Sequence, residues 1–175
     1  VWITDVSPDA LDVARANLAG IGRAAAHVRV AQGSWFDALP DDRRGSFDLI
    51  ASNPPYVRDD ADALEAIVRD WEPASALFGG SDGLDDVRGL AAGAPEWLAS
   101  GGWLIVEIGA DQGAVAPELL RSAGLADVAV LPDLAGLHRF VVGRRPLRGG
   151  PDESAGQMRL GDHQRPAEQA GSAGE

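Results

Sequence analysis

The chain has 175 residues, 45% hydrophobic and 24% charged, with a formal net charge of −12. That length holds one domain with a core of its own, and the composition excludes a wholly disordered, collagen-like or coiled-coil chain. The acidic balance argues against a general binder of phosphate backbones, and the absence of cysteine removes disulfides, thiolate catalysis and Cys-ligated metal.

In chain order, Val1 to Thr4 reads as a strand ending at Asp5. A helix follows, with Ser7 as N-cap, Pro8 at its first position and Gly20 or Gly22 at its end. Ala10, Val13, Ala14, Leu18 and Ile21 are expected on its apolar face. Val28 to Ala31 and Phe47 to Ala51 read as strands, the latter stopping at Asn53-Pro54-Pro55. Ala61 to Arg69 reads as a short helix. Asp82 to Ala99 reads as a longer one, with Leu84, Val87, Ala91 and Leu98 on one face and a kink or break expected at Pro95. Gly101-Gly102 reads as a turn, Trp103 to Val106 as a strand, Gln112 to Ser122 as a helix, Ala126 to Leu131 and Phe140 to Val142 as strands. Strands alternating with helices predict an α/β fold with a mostly parallel sheet, and near-continuous apolar strands predict a sheet covered on both faces. Residues 146–175 are rich in Gly, Pro, Gln and charge and are expected to be a disordered tail to the domain spanning 1–145. No run approaches the roughly 20 apolar residues of a membrane span, and no signal peptide is read, so a cytoplasmic protein is expected.

Two features carry chemistry. Asp5 stands at a strand end, where in nucleotide-binding α/β folds a carboxylate accepts both ribose hydroxyls; alone, it reads more readily as a solvated strand-end acid. Asn53-Pro54-Pro55-Tyr56 directly follows a strand, at the sheet edge where open α/β folds bind ligands. Two successive prolines fix an extended backbone that offers carbonyl acceptors and no N–H. Asn53 adds a side-chain carbonyl, so the segment can hold a planar –NH2 by both hydrogens while Tyr56 packs its ring on the flat group. The bland alternative is a Pro-Pro turn. Trp35-Phe36 out of context reads as core, Glu107 as an ordinary strand-end acid, and the acidic residues from Asp59 to Asp70 as a solvated helix face. His27, His138 and His163 are scattered, and no metal-ligand spacing is present.

The Asn-Pro-Pro-Tyr segment resembles the signature of amino-methyltransferases that use S-adenosylmethionine. Further motifs, in order, narrow the resemblance. Glu72-Pro73, Ala76-Leu77, Gly79-Gly80 and Asp82-Gly83 look like a segment of the protein-(glutamine) methyltransferases that modify peptide-chain release factors. Gly33-Ser34-Trp35-Phe36, Gly101-Gly102-Trp103 with Glu107-Ile108-Gly109 and Gln112, and Asp133-Leu134-Ala135-Gly136 with Arg139 are similar to others. Val1 to Arg145 resembles that family. One departure is Ser34, which stands where the family has Asp and can hydrogen-bond an adenine amino group only more weakly.

The resemblance implies a Rossmann-like S-adenosylmethionine-dependent fold. It implies an enzyme that methylates the side-chain amide nitrogen of the glutamine in a release factor's Gly-Gly-Gln motif. It puts Asp5 at the cofactor's ribose and Trp35 at its adenine, with Ser34 and Phe36 beside it. Asn53 lies between cofactor and substrate, and Asn53, Pro54, Pro55 and Tyr56 hold the glutamine amide. A monomer with a protein substrate is expected, with no metal, membrane or direct nucleic-acid contact. The competing readings are an adenine-amino nucleic-acid methyltransferase and a non-catalytic remnant. The family's sheet also has a first strand and Gly-rich loop, placed centrally between the strand ending at Asp5 and the strand ending at Asn53, after a helical N-terminal domain. Neither is found in these residues, so the chain reads as an N-terminally truncated, C-terminal catalytic portion. Two unpaired strand edges, an open core, weak cofactor binding and low stability are expected of it.

Overall fold

The computed structural model describes residues 1–59 and 74–148. The helix expected over Ala61 to Arg69, the Glu72-Pro73 pair and the tail from 149 onward lie outside the described residues. Strand β1 (Trp2–Asp5) pairs in parallel with β2 (Arg29–Gln32), in a register that sets Ile3 against Val30 and Asp5 against Gln32. Helix α1 (Pro8–Ile21) makes the crossover between them. Ser7 is extended and its Oγ accepts the Ala10 N–H at 3.3 Å, Pro8 opens the helix, and Gly22 closes it at φ +67. These are the expected caps, because a first-turn N–H needs a side-chain acceptor and a left-handed closing residue favours glycine.

The apolar face of α1 differs from the expected one. Leu11 is its one buried residue, Ala14 and Leu18 are half-buried, and Val13 and Ile21 lie exposed. A two-stranded sheet is narrow, so it covers a single stripe at i, i+3 and i+7 rather than a broad face.

The second sheet has the order β3-β4-β6-β5. It comprises β3 (Phe47–Ser52), β4 (Leu98–Glu107), β5 (Ala126–Pro132) and β6 (His138–Arg144). β3 and β4 are parallel, whereas β6 runs antiparallel to both β4 and β5. The short turn between β5 and β6 leaves no length for a parallel crossover. Helices α2 (Ala74–Leu77), α3 (Asp85–Trp97) and α4 (Ala116–Ser122) complete the described elements. The core lies between α3, α4 and this sheet: Val87, Leu90, Ala91 and Ala94 of α3 pack with Leu104 and Val106 of β4, Leu120 of α4 and Val141 of β6.

Three local expectations are corrected. Helix α3 is not interrupted at Pro95 and ends two residues later. Pro95 has no N–H for the Ala91 carbonyl, and only two residues of the helix follow it. Gly101-Gly102 lies inside β4, not in a turn before it. Gly101 has φ +81 and the register slips there, with Leu98 opposite Phe47 but Trp103 opposite Leu49. The Gln112 to Ser122 segment divides into a 3-10 turn over Gln112–Ala114 and α4, because the Gln112 side chain is drawn into the interior.

The two sheets part between β1 and β3. Each presents an open edge to a cleft of about 800 Å³, lined by Trp2, Ile3 and Thr4 on one side and Leu49, Ile50 and Ala51 on the other. A smaller hollow of about 370 Å³ between Val1-Trp2 and Phe47 to Leu49 marks the beginnings of the same two strands. Leu49 is 54% exposed, so the expected cover on both sheet faces is not met there. The two open edges are those at which the family resemblance places a central strand.

Candidate functional site

The polar end of the large cleft is built from the segments that leave the C-terminal ends of β1, β2 and β3. One Asp5 carboxylate oxygen, Oδ1, accepts the Ser7 N–H at 2.8 Å, which turns the chain into α1. The Gly33 N–H donates to the Asp5 carbonyl at 3.1 Å, and Gln32 Nε2 donates to the Val6 carbonyl at 3.1 Å. These two bonds tie the end of β1 to the end of β2 and bring Ser34 and Trp35 into the same cleft as Asp5. Gly33 is required there because a Cβ would come within 2.8 Å of the Ala38 backbone.

Trp35 and Phe36 diverge. Trp35 adopts φ +46, a conformation that side-chain-bearing residues seldom take. Its indole N–H donates to Asp86 Oδ1 at 3.2 Å. Asp86 also lines the cleft, and its burial there holds the carboxyl above the usual carboxylate range, against the opposing pull of the indole bond. The Phe36 ring instead stacks on Trp97, centroids 5.9 Å apart and planes 8° from parallel. Gly93 leaves the space, since a Cβ there would lie 2.5 Å from the Phe36 ring. Phe36 therefore borders the cleft but gives its ring face to the core.

Asn53 and Pro55 line the cleft, Pro54 is buried, and Tyr56 is half-buried and outside the lining set. The segment rests on the turn from Leu77 to Gly83. Val57 N–H donates to the Leu77 carbonyl at 2.9 Å, Gly79 N–H to the Val57 carbonyl at 2.9 Å, and Asp59 N–H to the Gly80 carbonyl at 3.1 Å. Gly79 and Gly83 are close-approach glycines: a Cβ would lie 2.4 Å from the Pro55 carbonyl oxygen in the first case and 2.3 Å from that of Tyr56 in the second. Asp82 organises the same turn. It accepts the Leu84 N–H at 3.1 Å and pairs with Arg88 at 2.5 Å, and that guanidinium pulls its carboxyl down to about 2. Gln112 closes the assembly from the far side, with Nε2 3.1 Å from the Tyr56 carbonyl.

Asp5, Ser34, Trp35, Phe36, Asn53 and Pro55 thus share one cleft, while Pro54 and Tyr56 lie outside its lining. Sequence reasoning missed the parts played by Asp86 and Gln112. Gln112 had a signal, since it stands in one of the family-like motifs; Asp86 had none. Chemically, one end offers a carboxylate and an indole, and the other an amide side chain and a proline backbone rich in carbonyl acceptors. Among the described residues no group of three His, Asp or Glu side chains could hold a metal, and no helix is long and apolar enough to cross a membrane.

Solved structures share this architecture. A methyltransferase from Pyrococcus furiosus superposes with a TM-score of 0.60 at 20% identity, covering 84% of this chain and 63% of its own. The S-adenosylmethionine-dependent methyltransferase SibL in its apo form gives 0.53 at 21% identity, covering 83% and 43%. The fold is that of the Rossmann-like S-adenosylmethionine-dependent methyltransferases. No family model matches the chain. Its sequence relatives are more specific. Release factor glutamine methyltransferases from Cereibacter sphaeroides (49% identical over 144 residues), Xylella fastidiosa strain Temecula1 (48% over 147) and Neisseria gonorrhoeae (45% over 145) each match 82–83% of this chain. Over the matched residues the chain is similar to the release factor glutamine methyltransferases. It spans about half the length of these curated relatives, 50% or 51% of each.

Proposed function

We propose that the chain carries the methyl-transfer site of a protein-(glutamine-N5) methyltransferase acting on the Gly-Gly-Gln glutamine of a peptide chain release factor. The observation that carries this reading is one cleft lined by both Asp5 and Trp35 and by Asn53 and Pro55. The donor set suits S-adenosylmethionine. Asp5 retains an oxygen beyond the one bound to Ser7, which can accept ribose hydroxyls, and Trp35 offers an aromatic surface for adenine with Ser34 beside it. Bound there, the cofactor would supply an activated methyl group on a sulfonium.

The chain's own residues handle the substrate. An amide nitrogen is a weak nucleophile because its lone pair is delocalised into the carbonyl. The Asn53 side-chain oxygen and the Pro54 carbonyl accept the two amide hydrogens and hold the nitrogen in one orientation. The same acceptors stabilise positive charge growing on that nitrogen. The proton leaves to water afterwards, so no strong base is needed. Tyr56 supports the flat amide from the loop's far end. A monomeric, cytoplasmic protein working on a protein partner fits this chemistry. The nucleic-acid alternative is disfavoured by the −12 charge.

The test joins the portion of the Cereibacter sphaeroides relative outside its matched segment ahead of Val1 and measures methyl transfer to a release factor, to DNA and to RNA. Methylation of the release factor glutamine alone is expected. Asn53→Ala is expected to lower kcat by about 100-fold or more. Methylation of DNA or RNA adenine, or full activity in N53A, would overturn the assignment.

A further inference from the structure

The Asn53-Pro54-Pro55-Tyr56 segment poses a mechanical problem. Neither proline has an N–H, so two successive residues of the loop offer no backbone donor with which the fold can grip them. What the loop does offer is carbonyls, and a carbonyl is gripped only by a donor brought from elsewhere. Gln112 brings one. It is 5% exposed, the one polar side chain buried among the described residues. Its Nε2 lies 3.0 Å from the Gly83 carbonyl, 3.1 Å from the Tyr56 carbonyl and 3.4 Å from the Asp82 carbonyl, while its Oε1 accepts the Gly109 N–H at 2.8 Å. The neighbours fix the amide's orientation, since the flipped form would face an oxygen to three carbonyls.

We propose that Gln112 is a positioning residue for the transfer reaction, clamping the Tyr56 carbonyl to the Gly79–Gly83 turn and thereby fixing where Asn53 and Pro54 meet the substrate nitrogen. The inference rests on the function proposed for the cleft. Its reach to Asn53 comes from the prolines: with both φ angles locked, the loop is a short stiff rod, and a rod held at Tyr56 is also aimed at Asn53. Gly83 makes the clamp possible, because its Cβ would lie 2.3 Å from the Tyr56 oxygen and 2.7 Å from Gln112 Nε2. Gln112 touches neither the cleft nor the reacting atoms, so its effect is on geometry.

The test has two arms. In the chimera with the Cereibacter sphaeroides portion, Gln112→Met keeps the side chain's length and removes its donors. Its kcat is expected to fall between about 10- and 100-fold, with the Kd for S-adenosylmethionine unchanged within about twofold. In the 175-residue chain, hydrogen exchange at the Val57 and Gly79 amides, which secure the loop to its turn, is expected to speed up in Q112M. A parallel loss of kcat and cofactor affinity would show a merely structural role and overturn the proposal, as would unchanged kcat. If Q112M does not fold, Gly83→Ala displaces the same carbonyl and is read by the same split; unchanged kcat in G83A overturns the proposal. If the chimera with Gln112 intact methylates no glutamine, the functional reading fails, and the exchange arm still decides whether Gln112 holds the loop.

Discussion

At the scale of single residues, one substitution separates an observed bond of Asp5 from its proposed one. Its Oδ1 holds the Ser7 N–H at the entrance to α1, and its other oxygen is the one proposed to accept the ribose hydroxyls. Asp5→Asn keeps an acceptor for Ser7 and loses the charge. In the chimera, D5N is expected to weaken S-adenosylmethionine by about 10-fold or more, the scale of a hydrogen bond to a charged group, while melting stays within about 0.5 kcal/mol. Unchanged affinity in calorimetry would remove Asp5 from the cofactor site. Asp82 gives a second test at this scale. Its carboxyl is lowered first by the Arg88 bond, and by the Leu84 N–H. A depressed folded-state value means the ionised form favours the fold above the ordinary value near 3.8 and that contribution is lost as pH falls toward about 2. Carboxyl NMR is expected to show Asp82 titrating near 2, and Arg88→Ala to return it toward 3.8. A midpoint near 3.8 in the unaltered protein would contradict the clasp.

At the scale of elements, β4 is one of the two interior strands of the larger sheet and carries much of its packing. Leu104 and Val106 are fully buried against α3 and α4. Leu104→Ala is expected to cost about 2–5 kcal/mol in denaturant unfolding; a loss below about 1 kcal/mol would show that this core is not the seat of stability. The β5–β6 hairpin is closed by Asp133, which accepts the Ala135 and Leu137 N–H groups at 2.9 and 3.0 Å, and by Arg139 between Asp133 and Glu107. Most of these elements were legible in the sequence because strands announce themselves as short apolar runs and α1 carries its caps in plain view. The exceptions share a cause. The true face of α1 depends on how narrow its sheet is, the Gly101-Gly102 irregularity on pairing with β3, and the division at Gln112–Ala114 on a side chain recruited by a loop 56 residues away. Local periodicity contains none of that. In the site, Asp5 and Asn53 were legible because strand ends are where α/β folds place ligands, whereas Asp86 takes its place through Trp35, 51 residues distant.

At the scale of the whole molecule, the sheet is in two pieces. β1 pairs with β2, β3 pairs with β4, and a cleft of about 800 Å³ separates the open edges of β1 and β3. Facing edges with unpaired N–H and C=O groups, lined by Ile3, Leu49 and Ile50, are unfavourable as they stand. The family resemblance places a central strand and a Gly-rich cofactor loop there. The central claim is that this cleft becomes a cofactor site when those edges are joined. The most direct measurement is calorimetric titration of S-adenosylmethionine into the 175-residue chain beside the chimera with the Cereibacter sphaeroides portion ahead of Val1. Saturable micromolar binding by the chimera and far weaker binding by the chain alone is the result expected. Absence of binding by both, or equally tight binding by the chain alone, would contradict it.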